Sequence, residues 1–320
     1  MDAIQLAAQG GPEVLTLTDL PVPVPEEGQV LVRLTAAGVN FVDTYFRGGL
    51  YPAQLPLVLG TEGAGVVEAV GPGVTGLAAG DRVVSNNLAG AYAQLAVTPA
   101  ARAIRIPEGV GDEQAAAVLL QGMTAHYLLH DSYPVRPGDT LLVHAAAGGM
   151  GLLLTQLATS LGARVIGTVS TPEKEKLARA AGAAEVIGYD GVGERVRELT
   201  SGVGVAAVFD GVGRDTFDDS LASLRTRGTL VLFGYASGPV PPFDINRLAA
   251  GGSLSLTRPT LGHFVAADEE LRRRAGDVLG WVADGTLKVT IGGRYPLAEA
   301  SAAHADLESR RTTGKLLLVL

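Results

Sequence analysis

The chain has no cysteine among its 320 residues. That removes disulfides, thiol nucleophiles and every cysteine-ligated zinc site at once. Positive charge is also short: 25 Lys and Arg stand against 33 Asp and Glu, for a net charge of −8. No basic run compensates, which argues against nucleic acid or an anionic membrane as a partner. No uninterrupted apolar stretch approaches the ~18 residues of a membrane span. The opening MDAIQLAAQGG lacks the basic and apolar regions of a signal peptide, so a cytoplasmic protein is expected. Three catalytic strings are missing too. There is no G-x-S-x-G, no HExxH, and no Gly-Lys-Ser/Thr after a glycine loop, so hydrolase and phosphate-loop NTPase readings are poor.

What the chain has in excess is glycine, 43 residues, against an average share of about 7%. The glycines follow no period, so they point to tight turns and close backbone approaches rather than a repeat. A hydrophobic content of 47% is ample for packed cores, and the length favours two domains.

Residues 1–118 read as β-rich. Short runs at Gln29–Leu34, Gly63–Val70, Arg82–Ser85 and Tyr92–Val97 are punctuated by Pro56, Gly71-Pro72-Gly73 and Gly80-Asp81, and no helical rhythm is read before Asp112. From 119 to 256 strands and helices alternate. The expected strands are Thr140–His144, Arg164–Val169, Glu185–Ile187, Val205–Phe209, Thr229–Phe233 and Ser253–Thr257. The helices between them include Met150–Leu161 and Pro172–Ala181. Such a series predicts a doubly wound parallel sheet. Residues 257–320, with a helix at Glu269–Asp284 and a strand at Lys315–Leu320, read as a return to the first domain.

The stretch VHAAAGGMGLLLTQLA, from Val143 to Ala158, has the form of a phosphate-binding turn. Ala146-x-Gly148-x-x-Gly151 overlays the G-x-G-x-x-G fingerprint with alanine at its first position. Gly148 would admit a pyrophosphate, Gly151 would let the helix pack on the strand, and the helix N-terminus would favour negative charge. An ordinary glycine-rich turn shares these letters, but the strand before it, the helix after it and the next strand favour a dinucleotide. An NAD site places a carboxylate about 20 residues on. Here the window Ile166–Thr171 has none, and Lys174 follows. NADPH is therefore expected over NADH, although Glu173 could serve a ribose and Lys174 could be a plain surface lysine.

Several strings carry a family resemblance: AAGVNFVDTYFRGGLY (36–51), GTEGAGVVEAVG (60–71), GDRVV (80–84), GMTAHYLL (122–129) and HAAAGGMG (144–151), then FDGVGRDTFDDSL (209–221), TRPTL (257–261) and ESRRTTGKLL (308–317). In their order and spacing the chain resembles the NADPH:quinone oxidoreductases, the zinc-free, zeta-crystallin-like branch of the medium-chain dehydrogenases/reductases, over essentially its whole length. The resemblance implies an α/β protein with a GroES-like β-rich catalytic domain split around a Rossmann cofactor domain. It implies an active site in the cleft between them and a homodimer joined near Ser253–Thr257. It also implies residue roles. Asn40 and Tyr45 would line the nicotinamide pocket, and Met123 and Thr124 would contact the cofactor. Gly148, Gly149 and Met150 would hold the pyrophosphate, and Ser170 and Lys174 would flank the 2′-phosphate. Tyr189 would pack near the adenosine end, and Phe233 and Gly234 would lie beside the nicotinamide. Arg310, or its neighbour Arg311, would reach a cofactor phosphate, for which a guanidinium fork is suited. Met150 stands where valine is common, and Gln121 where lysine is expected.

Zinc-dependent relatives place a cysteine within the segment matching Ala37–Asp43 and a histidine in a G-H-E string. Here the segment has no cysteine and the string is Gly60-Thr61-Glu62. His126 and His130 lie four apart on a helix, but a catalytic zinc needs three protein ligands and no third is suggested. His144 is expected to be packed rather than catalytic, and His263 and His304 carry no readable signal. No metal is therefore expected. A site without a Lewis acid suits an acceptor that is already electrophilic, such as a quinone. Tyr45, Asn40 and Tyr51 are the candidate hydrogen-bond donors for developing oxyanion charge, and Arg258 is a weaker candidate at the rim. Two other readings stand beside quinone reduction. One is an alkenal or enone double-bond reductase, and the other an NADPH-binding, crystallin-like protein without turnover.

Overall fold

The computed structural model describes residues 1–320, which divide into two compact units. The first comprises Met1–Met123 and Val265–Leu320, and the second Thr124–Phe264. The chain thus leaves the first unit and returns to it. The divisions fall at 123/124 and 264/265, beyond the positions 118 and 256 where the pattern changes. The first division falls inside the helix Asp112–Tyr127, so no break in periodicity marks it.

The first unit is built on a seven-stranded sheet. Its long strand Gln29–Val39 pairs antiparallel with Gly63–Val70, with Leu95–Pro99 and with the C-terminal strand Lys315–Val319. Leu316 lies opposite Val39, so the end of the chain is registered against the start of the site segment. A three-stranded sheet of Leu15–Asp19, Asp2–Leu6 and Leu57–Val58 completes the β-structure. Inward residues Val30, Val32 and Leu34 alternate along the long strand and join Leu316, Leu318 and Tyr92 in one core.

The second unit is a six-stranded parallel sheet. Its spatial order is Glu185–Ile187, Arg164–Thr168, Thr140–Val143, Val205–Asp210, Leu224–Leu232 and Ser255–Thr257. Numbered along the chain, that order is 3-2-1-4-5-6, the doubly wound arrangement that binds ligands where the order reverses. The reversal lies between Thr140–Val143 and Val205–Asp210. Their carboxyl ends run into the glycine loop at 144–151 and the Gly211–Gly213 turn.

Most expected elements lie within two residues of the observed ones. The principal miss is the helix Phe41–Arg47, which falls where no helix was expected. It is only seven residues long, too short to show a periodicity, and an isolated helix of that length is unstable. Tertiary contacts hold it, and it carries Tyr45, with the other candidate residues Asn40 and Tyr51 on either side of it.

Candidate active site

In the second unit the glycine loop is shaped by close approach. A Cβ on Gly151 would lie 2.2 Å from the Ala145 carbonyl oxygen, so that glycine is required by the protein's own packing. Gly148 has an ordinary backbone (φ −76°, ψ 169°) at the helix N-cap. A Cβ there would lie 3.3 Å from the same oxygen. Packing therefore tolerates a small side chain at Gly148 far better than at Gly151. Half-buried Gly148, Gly149 and Met150 open the helix Gly149–Ser160, whose first N–H groups have no intrahelical acceptor. This is a cradle for an anion. The alanine at the fingerprint's first position has a steric explanation. A Cβ on Gly167 of the neighbouring strand would lie 2.7 Å from the Ala146 methyl. The methyl of Ala146 fills room that Gly167 leaves.

The strand Arg164–Thr168 ends without a carboxylate. Ser170 is exposed, and Thr171 caps the next helix by accepting from the Lys174 N–H at 3.3 Å. Lys174 is half-buried, and burial pulls its pKa down. The Tyr189 hydroxyl accepts from the Ala145 N–H at 3.2 Å, and its ring stacks on His144 at 6.3 Å. The structure thus places Tyr189 against the glycine loop.

A buried polar chain spans the switch point. Asp210, fully buried, accepts from the Val212 and Gly213 N–H groups and from the hydroxyls of Thr216 and Ser220. Because Ser220 donates to Asp210, it accepts from His144 Nε2, 3.0 Å away. His144 Nδ1 then accepts from Thr168 Oγ1 at 3.1 Å, and Thr168 Oγ1 accepts from the Ala145 N–H. His144 is packed, as expected. Burial lowers its pKa, against the pull of Asp210 and Asp219. Phe233 and Gly234 lie over the same turn, with a Cβ on Gly234 only 2.7 Å from the Gly211 oxygen.

In the first unit Asn40 precedes the helix Phe41–Arg47. Lys315 Nζ donates to Asn40 Oδ1 at 2.6 Å and to Glu62 Oε2 at 2.7 Å. A lysine can only donate, which fixes the orientation of the amide. Asn40 Nδ2 then donates to the Gly38 carbonyl and to Glu62 Oε2, while Glu62 Oε1 accepts from the Leu120 N–H. Both amide hydrogens are committed, so the expected donation from Asn40 to a substrate oxygen is corrected. Asn40 pins the backbone instead. Tyr45 and Tyr51 are half-buried, with rings edge-to-face at 5.3 Å, and Phe41 lies 6.4 Å from Tyr45. These aromatics form one wall, with two hydroxyls as candidate donors.

Behind that helix runs a second buried chain, which the sequence did not disclose. The Asp43 carboxylate accepts from the Asn40 N–H at 2.9 Å and from the Tyr92 hydroxyl at 3.1 Å. Tyr92 lies 3.0 Å from His304 Nε2, and His304 Nδ1 lies 3.1 Å from Arg47 Nη1. Arginine is only a donor, so Nδ1 accepts and Nε2 carries the hydrogen toward Tyr92. Arg47 also holds Glu308 at 2.7 Å and the Gly10 carbonyl. Burial pushes Asp43 up to about 7, against the Asn40 N–H, Lys315 and Tyr92, with Glu62 adding to the rise. Burial, and after it the Arg47 charge, pushes His304 down to about 3.

Other expected residues fall differently. Met123 has no exposed surface, so its expected cofactor contact is corrected. A side chain enclosed by its own core cannot touch a ligand. Thr124, at the start of the second unit, is 7% exposed. Gln121 Oε1 is a buried acceptor without a hydrogen-bond partner. Arg310 and Arg311 are both exposed just past the helix Ala300–Glu308, Arg310 with φ at 59°. Arg258 donates to the Phe233 carbonyl and lies 4.2 Å from the Tyr235 ring centroid. His130 Nδ1 is 2.8 Å from the His126 carbonyl oxygen.

Residues 26–108 match the alcohol dehydrogenase GroES-like domain and residues 149–275 the zinc-binding dehydrogenase family. The donor set does not fit zinc. There is no cysteine, Thr61 replaces the histidine of the G-H-E string, and both Glu62 oxygens are engaged. No three His, Cys, Asp or Glu side chains group closely enough to hold a metal ion. The chain is 48% identical to a quinone oxidoreductase of Pseudomonas aeruginosa, over 99% of this chain and 98% of that one. It is 42% identical to a 2-haloacrylate reductase of a Burkholderia species, over 97% and 96%. The structure of Escherichia coli quinone oxidoreductase complexed with NADPH superposes at a TM-score of 0.98, with 43% identity and full coverage of both chains.

Two predictions follow from this geometry. Gly167→Ala should overpack against Ala146 and cost about 1–3 kcal/mol, and adding Ala146→Gly should return most of that loss. Non-additivity in a chemical-denaturation cycle measures it, and strict additivity would refute the contact. The second concerns pH. Between about pH 4 and 7 folded Asp43 keeps a proton that the unfolded chain has lost, so its contribution to stability falls as pH rises. Between about pH 3 and 6.5 unfolded His304 holds a proton that the folded chain lacks, so its contribution is lost as pH falls. From about pH 4 to 6.5 the two slopes cancel. Asp43→Asn should therefore unmask stability that rises with pH, and His304→Gln stability that falls with it. Each slope should approach about 1.4 kcal/mol per pH unit in urea melts.

Proposed function

The chain belongs to the quinone oxidoreductase family of the medium-chain dehydrogenases/reductases, and from that premise we propose that it reduces quinones with NADPH and without zinc. The observation that carries the reading is a nucleotide cradle on a 3-2-1-4-5-6 sheet in a chain that has no cysteine in Ala37–Asp43 and has Thr61 in the Gly60-Thr61-Glu62 string. When bound, NADPH supplies the hydride. Gly149 and Met150 offer backbone N–H groups to the pyrophosphate, Gly148, whose own N–H is held by the Ala145 carbonyl at 2.9 Å, lets it approach closely, and Thr124 adds a contact. Ser170 and Lys174 take the 2′-phosphate, which the absence of a carboxylate at the strand end admits. Partial burial suits Lys174 to this task, because a desolvated ammonium gains most from an anionic partner. Phe233 and Gly234 border the nicotinamide, Tyr189 steadies the loop, and Arg310 reaches a phosphate.

A quinone carbonyl is already electrophilic, so the protein needs to position it, exclude water and donate hydrogen bonds to the oxygen that gains charge. Tyr45 and Tyr51 are the donors in this reading, on a wall that presents aromatic faces and edges to a planar acceptor. The relative that reduces 2-haloacrylate supports a second reading, reduction of an activated alkene, for which the same two hydroxyls would serve a carboxylate or enolate oxygen. The protein is further proposed to be a cytoplasmic homodimer that uses the outer edge of Ser255–Thr257, a strand paired on one side only. No helix is long and apolar enough to cross a membrane.

Steady-state assays with a naphthoquinone should give kcat/KM for NADPH at least about tenfold above NADH, and Lys174→Ala should remove most of that preference. Tyr45→Phe should lower kcat with quinone by about 10–100-fold, and a chelator should leave the rate unchanged. Equal use of both cofactors, or faster turnover of 2-haloacrylate than of any quinone, would reject the reading.

A further inference from the structure

The helix Phe41–Arg47 carries Tyr45, yet by itself it is too short to hold a fixed orientation. Two of its side chains, Asp43 and Arg47, are one turn apart on its buried face, and they are 1% and 4% exposed. Both ends of a single side-chain chain close on them. Asp43 receives the Tyr92 hydroxyl, Tyr92 meets His304, and His304 meets Arg47, at 3.1, 3.0 and 3.1 Å. With the helix itself as the fourth side, this is a closed ring. Donor and acceptor assignments leave it one direction, from Arg47 through His304 and Tyr92 to Asp43. Its members come from three distant parts of the chain. Glu308 and the Gly10 carbonyl anchor Arg47 from outside the ring.

On a helix, residue 45 points roughly opposite to residues 43 and 47. A ring that grips 43 and 47 therefore sets the roll of the helix about its axis, and with it the direction of the Tyr45 ring. We propose that Tyr92, His304 and Arg47 are positioning residues for quinone reduction, acting through the roll of this helix on Tyr45. The proposal rests on the reading of Tyr45 as the donor to the acceptor oxygen. None of the three touches that oxygen in this account. Small errors of placement slow transfer strongly, so the ring should govern kcat more than binding.

Tyr92→Phe deletes one oxygen and keeps the ring that packs over Gly60, where a Cβ would lie 2.4 Å from Tyr92 Cδ1. The expected result is a fall in kcat with a naphthoquinone of about tenfold, with the NADPH dissociation constant, read by fluorescence titration, unchanged. In a Tyr45→Phe background the same change should cost less than about twofold, because its effect passes through Tyr45. His304→Gln, which keeps one donor and one acceptor, should retain most activity, whereas His304→Leu should behave like Tyr92→Phe. If Tyr92→Phe does not fold, the His304 pair makes the same comparison. Tyr45→Phe separates the two ideas. If it is silent, the donor assignment fails. If it slows turnover while Tyr92→Phe is silent, or if the two losses multiply, the ring is structural only and the positioning proposal fails.

Discussion

The ammonium of Lys315 lies 2.7 Å from Glu62, with side chains 2% and 0% exposed, and much of the first unit is arranged to permit it. Taking both charges out of water costs several kcal/mol, and their attraction repays it only when the remaining lone pairs and protons also find partners. Here they do. Glu62 receives Leu120 and Asn40, and the ammonium's second bond goes to Asn40 Oδ1. Four segments thereby meet at one point: the end of the strand Gln29–Val39, the Gly60-Thr61-Glu62 string, the helix from Asp112 and the last strand. Neither charge could be buried alone, so the C-terminal strand must come back to the first unit. Its register, Leu316 opposite Val39, sets Lys315 beside the end of that strand.

The second unit solves the same problem without a cation. Asp210 is as buried as Glu62, but it is satisfied by two backbone N–H groups and two hydroxyls. A carboxylate held by several donors is stable in low dielectric without a counter-charge. Its position has a further consequence. Through Ser220, His144 and Thr168 it is tied to the N–H of Ala145, which has a left-handed backbone at φ 50° despite its Cβ. That conformation is unfavourable for alanine, and the bond from its N–H is part of what holds it. The turn after the fourth strand and the loop after the first are thus joined at the place where a dinucleotide would lie.

Local patterns carried the fold into the sequence. Strand–helix alternation, the glycine loop and the carboxylate-free strand end each depend on residues within about 20 positions of one another, and they were legible. The alanine in the fingerprint was legible as a departure but not as a fit, because the reason lies in Gly167 on the next strand. The buried rings were not legible at all. Tyr92, His304 and Lys315 are ordinary letters until the chain brings them against Asp43, Arg47 and Glu62, up to 275 positions away in the case of Lys315 and Asn40. Resemblance found Asn40 but not its role, since a sequence match does not show which way an amide faces. It also assigned Met123 a contact that its complete burial denies.

The match to a zinc-binding dehydrogenase model in a chain without zinc donors is a case of one scaffold serving different chemistry. The carboxylate of Gly60-Thr61-Glu62 is paired here with a lysine, Lys315, at 2.7 Å. That pairing has a consequence for the acceptor. A metal would polarise an unactivated carbonyl directly, whereas Lys315 is enclosed and its charge is matched by Glu62, so no net positive charge is offered to a substrate. Asn40, turned inward by the same lysine, offers no hydrogen either. In the proposed reading, polarisation of the acceptor falls to the phenolic hydroxyls of Tyr45 and Tyr51, which are weaker than a cation. Weak polarisation suits an acceptor that accepts hydride readily, so the enclosure of Lys315 agrees with the proposed quinone substrate.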